Sequence, residues 1–186
     1  NQYNELIAKH KSNAEIIVGN FATGASIKHF RELCTVEPLA FKVGIGGGSA
    51  CLTRVQTGCG VPQLSALLDC ININANSNII SDGAHKTPGD IAKSLAAGAK
   101  AVMLGIMFAG THEAPGEIVD GKFKKYRGSA SQEAYKSQDK EATWRTFEGD
   151  SFLVPLKGSV SDVLHNITGG VRSALSYVGA KNLKEF

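Results

Sequence analysis

Short apolar runs alternate along this chain with longer segments in which apolar residues recur every three or four positions. A short apolar run favours a buried strand, whereas the longer spacing favours an amphipathic helix. Strands are predicted at 16–19, 40–43, 78–81 and 101–104, and helices at 1–10, 27–34, 62–71, 87–97 and 161–178. Strand and helix therefore alternate at a regular interval, which predicts parallel βα units and an α/β fold.

This alternation breaks after residue 109. The Asp120-Gly121 dipeptide between two short runs predicts a β-hairpin, because it favours a tight turn. The next stretch, 128–147, is polar and lacks a clear period, which is typical of a flap or a disordered segment. We predict one domain, 1–186, in which the hairpin and a mobile flap occupy about 116–150.

The apolar stripes of two helices predict which faces are buried. The predicted buried positions are Leu64, Leu67, Leu68 and Ile71 in one helix and Val163, Leu164, Ile167, Val171, Leu175 and Val178 in the other. On the opposite side of the sheet, Val43, Ile80 and Val102 are expected to line an uncovered inner face. Open sheet edges beside such a face promote association, so we expect the chain not to form a stable monomer.

A glycine-rich segment, 44–54, lies between the second strand and the helix that opens near Pro62. Glycines permit positive φ angles and let backbone N–H groups approach a ligand, so such a loop can bind an anion. Cys51, surrounded by these amides, has the setting of a nucleophile, although a small buried hydrophobic residue is the alternative. The spacing fits neither a Walker loop nor the dinucleotide-binding fingerprint.

Composition narrows the classes of function. With 42% hydrophobic residues the chain can form a sizeable core, and the net charge of +3 suits an anionic small molecule better than nucleic acid. The four cysteines show no C-x-x-C spacing, which predicts neither a zinc site nor disulfides and favours the reducing cytoplasm. No apolar run approaches the roughly 20 residues of a membrane span, so no membrane partner is predicted.

The segment 44–63 reads Gly-Ile-Gly-Gly-Gly-Ser-Ala-Cys-Leu-Thr-Arg, followed by Thr-Gly-Cys-Gly-Val-Pro-Gln. It resembles the active-site loop of the inosine monophosphate dehydrogenase/guanosine monophosphate reductase family, except that Gly47 replaces the family's usual proline. The resemblance implies the C-terminal half of a TIM (β/α)8 barrel, its last four βα units, with an inserted hairpin and flap. Physics alone also allows a small open sheet, since four strands are visible.

The resemblance also implies partners. The missing first four strands would come from a separate N-terminal half-barrel or from self-association, and the family's members are homo-oligomers, often tetramers. The ligand would be a purine mononucleotide, GMP or IMP. The cofactor would be NADPH, or NAD in the alternative, together with a monovalent cation such as potassium.

Roles for individual residues follow from the same resemblance. Cys51 would attack purine C2, Thr53 and Glu148 would transfer protons, Asp82 would bind the ribose, and Arg145 would contact the cofactor. The other predicted substrate-binding residues are Asn20, Ser49, Gly83, Ala84, Gly105, Ile106, Tyr126, Gly128, Ser129 and Ala130, and the predicted potassium ligands are the carbonyls of Gly46, Gly48 and Cys51. Ala84 stands where the family commonly has glycine, yet would still offer its N–H.

The flap favours one member of the family. Trp144-Arg145-x-x-Glu148-Gly149 is similar to the reductase pattern Tyr-Arg-x-x-Glu-Gly, and the flap lacks the adjacent Arg-Tyr pair with which the dehydrogenase activates water. We therefore predict a GMP reductase. Gly60-Val61-Pro62 and the run 113–117 are closer to the dehydrogenase, so IMP dehydrogenase is the alternative. A non-catalytic fragment, or one subunit of a split enzyme, is the third.

Overall fold

The structure is a computed structural model that describes residues 3–5, 15–138 and 146–186. Residues 3–5 are helical, and the rest of the helix predicted at 1–10 lies outside the described residues. Within the described residues, no helix is both long and apolar enough to cross a membrane.

Within the described part of the chain, four parallel strands form the central sheet, in the order β1-β2-β3-β4. They are β1 Ile17–Phe21, β2 Ala40–Val43, β3 Ile79–Asp82 and β4 Ala101–Met103. The helices α1 Gly24–Leu33, α3 Gln63–Ile73 and α4 Pro88–Ala96 connect them, with a short α2 Thr53–Thr57 inside the second connection. The predicted βα alternation is confirmed, and all four strands deliver their carboxyl ends to one edge of the sheet.

The helices cover one face of this sheet. Phe41 and Val43 of β2 are fully buried with Ile27 and Leu67 of the helices, and each such side chain contributes about 2 kcal/mol through burial. The face of α3 is rotated from its prediction: Gln63, Ala66, Leu67 and Cys70 are buried, whereas Leu64 and Leu68 are 41% and 43% exposed. The apolar spacing could not predict this rotation, because the buried face begins with Gln63, a polar residue.

The inner face of the sheet differs from the prediction. Val43 and Val102 pack against the helices on the other face, so of the three expected residues only Ile80 shares a face with Lys42. Strand register explains the error, because side chains alternate between faces and adjacent strands must be aligned before faces can be matched. The inner face therefore carries a lysine rather than a continuous apolar surface.

Helix starts follow the expected chemistry. Thr87 and Asp90 form a reciprocal capping box at the start of α4, with Pro88 in its first turn. Such a cap satisfies backbone N–H groups that have no partner inside the helix. The predicted start of the helix that follows the third strand is therefore confirmed.

The inserted region is a three-stranded antiparallel sheet, order β5-β6-β7. Its strands are β5 Ile118–Val119, β6 Phe123–Arg127 and β7 Ser151–Pro155, and a short α5 Gln132–Lys136 follows β6. The hairpin turn is confirmed, with φ of 52° at Asp120 and 65° at Gly121. The strand β7 was not predicted, since it pairs with a strand more than twenty residues earlier and shows no periodicity of its own.

The last helix, α6 Val160–Tyr177, packs on α4. Ile167 is buried against Ile91, and Gly170 approaches Pro88 so closely that any side chain there would collide with the ring. The helix and its inward Val163 and Val171 were predicted, but Leu164 and Val178 are 47% and 64% exposed, contrary to expectation. The buried stripe of α6 is therefore narrower than the set of apolar positions in its sequence.

Candidate active site

A cleft of 1090 Å³ opens between the carboxyl ends of β2–β4 and the inserted sheet. Most of the residues that the sequence singled out line it: Gly48, Ser49, Cys51, Thr53, Asp82, Gly83, Ala84, Gly105, Ile106, Tyr126, Gly128, Ser129, Ala130 and Glu148. Asn20 lies beside the cleft and contacts it through Asp82. Arg145, the predicted cofactor contact, lies outside the described residues. The fold thus gathers side chains that are up to about one hundred residues apart.

Cys51, Thr53 and Glu148 form a hydrogen-bonded line at the mouth of the cleft. The Cys51 Sγ lies 3.1 Å from the Thr53 Oγ1, which donates to the Glu148 Oε2 over 2.6 Å. The hydroxyl can accept from the thiol while it donates to the carboxylate. The arrangement therefore connects a nucleophile to a carboxylate through one hydroxyl, as proton transfer requires.

Backbone hydrogen bonds hold Glu148 in this place. The amide of Leu52 donates to the Glu148 carbonyl over 2.7 Å, and the amide of Asp150 donates to the Ala50 carbonyl over 2.8 Å. Between them, Gly149 pairs with both Cys51 and Ser131, and a Cβ at Gly149 would lie 2.5 Å from the Ser131 nitrogen. Only glycine allows this close approach. Main-chain contacts thereby fix the carboxylate to the cysteine loop, which is the part of the glycine-rich segment 44–54 around Cys51.

The turn after β3 meets the glycine loop directly. The amide of Ala84 donates to the Gly47 carbonyl over 2.8 Å, and Ala84 has a φ of 63°. Here the structure differs from the expectation, because this N–H is engaged by the protein rather than free for a phosphate. A left-handed conformation is unfavourable for alanine, so this contact is maintained against backbone strain.

Tyr126 of β6 stands over the end of β4. A Cβ at Gly105 would lie 2.7 Å from the Tyr126 hydroxyl oxygen, so the hydroxyl group occupies the space that glycine leaves. The ring packs edge-to-face on Phe152 at 5.5 Å between centroids. Burial raises the pKa of Tyr126, which keeps the hydroxyl protonated as a donor toward the cleft.

Asp82 ends β3 and receives two donors on one oxygen. The Asn20 Nδ2 lies 2.9 Å and the Lys42 Nζ 3.0 Å from the Asp82 Oδ2. Lys42 was not among the predicted site residues, although a charged residue inside an apolar strand was a visible signal. The carboxylate is therefore oriented before any ligand binds.

A buried polar network lies beneath the cleft. The Gln63 Nε2 bonds to the Val43 carbonyl and the Ser81 Oγ over 2.8 and 3.0 Å, and the His85 Nε2 lies 3.1 and 2.9 Å from the hydroxyls of Ser81 and Ser94. His85 is 5% exposed, and burial lowers its pKa despite the Met103 carbonyl and two aspartates. The imidazole is therefore neutral near pH 7. In the sequence, the only sign that His85 belongs near the site is its position directly after Asp82-Gly83-Ala84.

The cysteine loop also presents carbonyls that fit a cation. The Gly48 carbonyl accepts from the Cys51 amide over 3.0 Å and keeps a second lone pair. Gly46 has a φ of 74° and packs against Arg54, which donates to the Ile45 and Val61 carbonyls. Backbone carbonyls are ligands for hard cations such as potassium, and the second lone pair of the Gly48 carbonyl is open to that role. The same role for the carbonyls of Gly46 and Cys51 stays a prediction.

Comparison with known proteins decides the family. The family model described as "IMP dehydrogenase / GMP reductase domain" matches residues 2–186. This chain belongs to the IMP dehydrogenase/GMP reductase family. The resemblance seen in the glycine loop is therefore confirmed.

Relatives with both family names are similar to the chain. It is 44% identical over 198 residues to a GMP reductase of Phytophthora infestans, covering 100% of this chain and 54% of the relative. It is 43% identical over 194 residues to an inosine-5′-monophosphate dehydrogenase of Nitrosopumilus maritimus (strain SCM1), covering 96% and 40%. The chain thus spans about half the length of the curated relatives it matches, and overall identity does not separate the two members of the family.

A solved structure supports the fold. A crystal structure of GMP reductase from Trypanosoma brucei in complex with guanosine 5′-monophosphate matches with a TM-score of 0.85 and 38% identity, covering 97% of this chain and 39% of that one. The predicted α/β fold of this family member is confirmed, and it is consistent with a partial TIM barrel.

Proposed function

We propose that this chain carries the nucleotide-binding and catalytic face of a GMP reductase, which converts GMP to IMP and ammonia with NADPH. The observation that carries this proposal is the line from Cys51 through Thr53 to Glu148. A reductase must protonate a leaving nitrogen, and a carboxylate joined to the nucleophile by one hydroxyl is suited to that task. The names of the similar proteins also favour a purine nucleotide oxidoreductase, but they do not decide between GMP reductase and IMP dehydrogenase.

The chemistry assigns one task to each group. The Cys51 thiol passes its proton through Thr53 to Glu148, and the resulting thiolate forms a bond to purine C2. The exocyclic amino group takes that proton back through Thr53 and leaves as ammonia. NADPH, when bound, supplies the hydride that C2 requires. The carbon–sulfur bond then breaks, IMP is released and the thiolate is restored, so atoms and charge balance.

Binding uses the remaining lining of the cleft. Asp82 accepts from the ribose hydroxyls, and Asn20 borders the pocket through its bond to Asp82. The phosphate is bound by Tyr126, Ser49 and the backbone of the turns after β3 and β4. The residues in these turns are Gly83, Ala84, Gly105 and Ile106, and Gly128, Ser129 and Ala130 complete the substrate site on the inserted side. Ala84 contributes chiefly by holding the glycine loop, since its amide already bonds to Gly47.

The cleft also fits a second ligand beside the nucleotide. Its volume of 1090 Å³ lies just above the range typical of small-molecule sites, roughly 300–1,000 Å³. Arg145 is assigned to NADPH by resemblance alone. Potassium would be bound by the carbonyls of Gly46, Gly48 and Cys51, and its contribution would be to hold the shape of the cysteine loop. The same proposal places the protein in the reducing cytoplasm, the compartment expected from the spacing of its cysteines.

Completion of the barrel is part of the proposal. The sheet ends in two strands, β1 and β4, that have no outer neighbour among the described residues. Such edges template further pairing. We expect either a separate N-terminal half-barrel or another copy of the chain to pair at these edges. The completed protein is expected to form a homo-oligomer. Sedimentation that shows a compact, cooperatively folding monomer at low concentration would contradict this expectation.

IMP dehydrogenase is the second candidate, since Gly60-Val61-Pro62 and residues 113–117 are closer to that member. The deciding assay gives the protein GMP with NADPH in one arm and IMP with NAD in the other. NADPH oxidation with release of ammonia and IMP is expected, and Cys51→Ser should abolish it. Steady formation of xanthosine monophosphate would choose the dehydrogenase, and nucleotide binding without turnover in either arm would choose a non-catalytic half.

A further inference from the structure

A lysine lies on the inner face of the sheet, at the floor of the cleft. Its ammonium is 3.0 Å from the Asp82 Oδ2, and the Asn20 amide donates to the same oxygen over 2.9 Å. Among the described residues, no hydrogen bond reaches the other oxygen, Oδ1. One carboxylate oxygen is thus occupied by the protein, and the second is left for a ligand.

Both donors are themselves held in place. The second amide hydrogen of Asn20 bonds to the Gly44 carbonyl over 2.8 Å. Lys42 lies between β1 and β3, and a Cβ at Gly19 would be 2.7 Å from its Cβ, so β1 provides no side chain at that point. The lysine stem can therefore lie flat across the sheet toward Asp82 and Met103, whose Sδ is 3.8 Å from the Nζ.

The surroundings make this pair more than a surface contact. The side chains of Lys42 and Asp82 are 27% and 23% exposed, so solvent screens them less than an exposed ion pair. A carboxylate fixed by two donors cannot rotate freely, and geometry decides the strength of the bonds it then accepts. With a neutral residue at position 42, the Oδ1 oxygen of Asp82 would no longer be held in one orientation.

We propose that Lys42 is a positioning residue for sugar recognition: with Asn20 it orients Asp82 so that Oδ1 accepts from the vicinal hydroxyls of a ribonucleotide. The inference rests on the proposed function, because it takes a purine ribonucleotide as the ligand. It assigns to Lys42 the discrimination between ribose and 2′-deoxyribose.

The test compares the binding of GMP and 2′-deoxy-GMP to the full chain by calorimetry. Wild-type protein should bind GMP about ten- to a hundredfold more tightly, the effect of one hydrogen bond to a charged group. Lys42→Met should reduce this ratio to about threefold or less, chiefly by weakening GMP binding. Lys42→Arg should restore part of the ratio, and Lys100→Met, an equal loss of charge at an exposed site, should leave it unchanged.

An equal loss of affinity for both nucleotides in Lys42→Met, with the ratio kept, would overturn the inference and leave the proposed function intact. Wild-type protein that binds neither nucleotide would overturn the proposed function itself. Should thermal melts show that Lys42→Met is unfolded, Asn20→Ala removes the other donor to the same oxygen, and an unchanged ratio in that variant would equally overturn the inference.

Discussion

The two sides of the cleft are built differently. On the sheet side, Asp82 is held by Lys42 and Asn20, which come from neighbouring parallel strands. On the inserted side, Glu148 belongs to a segment that precedes β7 and reaches the cysteine loop through a few backbone hydrogen bonds. The difference suggests a division of labour, in which the sheet orients the ribose and the inserted region, besides its contacts to the phosphate, supplies the proton-transfer group.

The strongest test of this division is Glu148→Gln. We expect turnover to fall by about 10²–10⁴-fold, the usual contribution of a general acid, while the affinity for GMP changes little. Glu15→Gln, at an exposed position outside the cleft, should behave as wild type. Single-turnover kinetics with a parallel binding titration measures both quantities. A loss of affinity as large as the loss of rate would break the division.

The anchoring of the inserted region can be tested at Lys124. Its buried ammonium donates to the carbonyls of Thr111, His112 and Ala114 over 2.8, 3.0 and 2.6 Å, which ties β6 to the loop after β4. Lys124→Met leaves these acceptors without their charged donor and should lower the free energy of unfolding by about 3 kcal/mol. Urea unfolding measures the change. The exposed Lys122→Met should alter it little, and equal effects of the two variants would argue against a specific anchor.

A smaller effect is expected where the sheet side meets the glycine loop. Ala84 has a φ of 63°, which glycine adopts without strain, so Ala84→Gly should raise the free energy of unfolding by about 1 kcal/mol. The same change at Ala97, where φ is −68°, should instead lower it by about 0.5–1 kcal/mol. Thermal unfolding of both variants checks the opposite signs. A loss of stability in Ala84→Gly would contradict the assignment of strain.

The smallest effect is a dependence on pH from His85. Burial lowers its pKa in the folded protein, so below about 6.5 the unfolded chain binds the additional proton and the folded protein does not. Stability should be complete above that pH and decline as pH falls toward 5.

Asp90 does not contribute in this pH range. Hydrogen bonds from Lys93, Thr87 and two backbone amides outweigh burial and lower the pKa of Asp90 to about 2, so its stabilisation is lost only below about pH 4.

Urea midpoints between pH 7 and 5 measure this dependence. The slope should be reduced in His85→Gln, whereas it should be kept when the exposed His29 is changed to Gln. An undiminished slope in His85→Gln would show that another group is responsible.

Local patterns predicted much of the fold. The βα alternation, the capping box at Thr87 and Asp90 and the Asp120-Gly121 turn all follow from contacts within a few residues. Errors arose where distant strands decide the outcome. The inner face required the register of β2 and β4, which placed Val43 and Val102 against the helices, and β7 required a partner strand far away in the chain.

The candidate site shows the same limit. From its glycine-rich surroundings alone, Cys51 could be a nucleophile or a small buried hydrophobic residue, and the family resemblance chose the first. Tyr126 and Glu148 could be named only through that resemblance. Lys42 and His85 emerged from the structure, since a side chain that orients another is defined by three-dimensional contacts. Residue type and spacing carry no such information.

Alkylation of Cys51 tests the central claim most directly. Iodoacetamide labelling of the full chain, followed by peptide mass spectrometry, compares Cys51 with the exposed Cys59 and the buried Cys70 in the same sample. Our account predicts that Cys51 reacts fastest and that GMP or IMP protects it while the rate at Cys59 stays the same. Labelling of Cys51 at the rate of Cys59, unchanged by either nucleotide, would contradict its role as the nucleophile beside a bound purine.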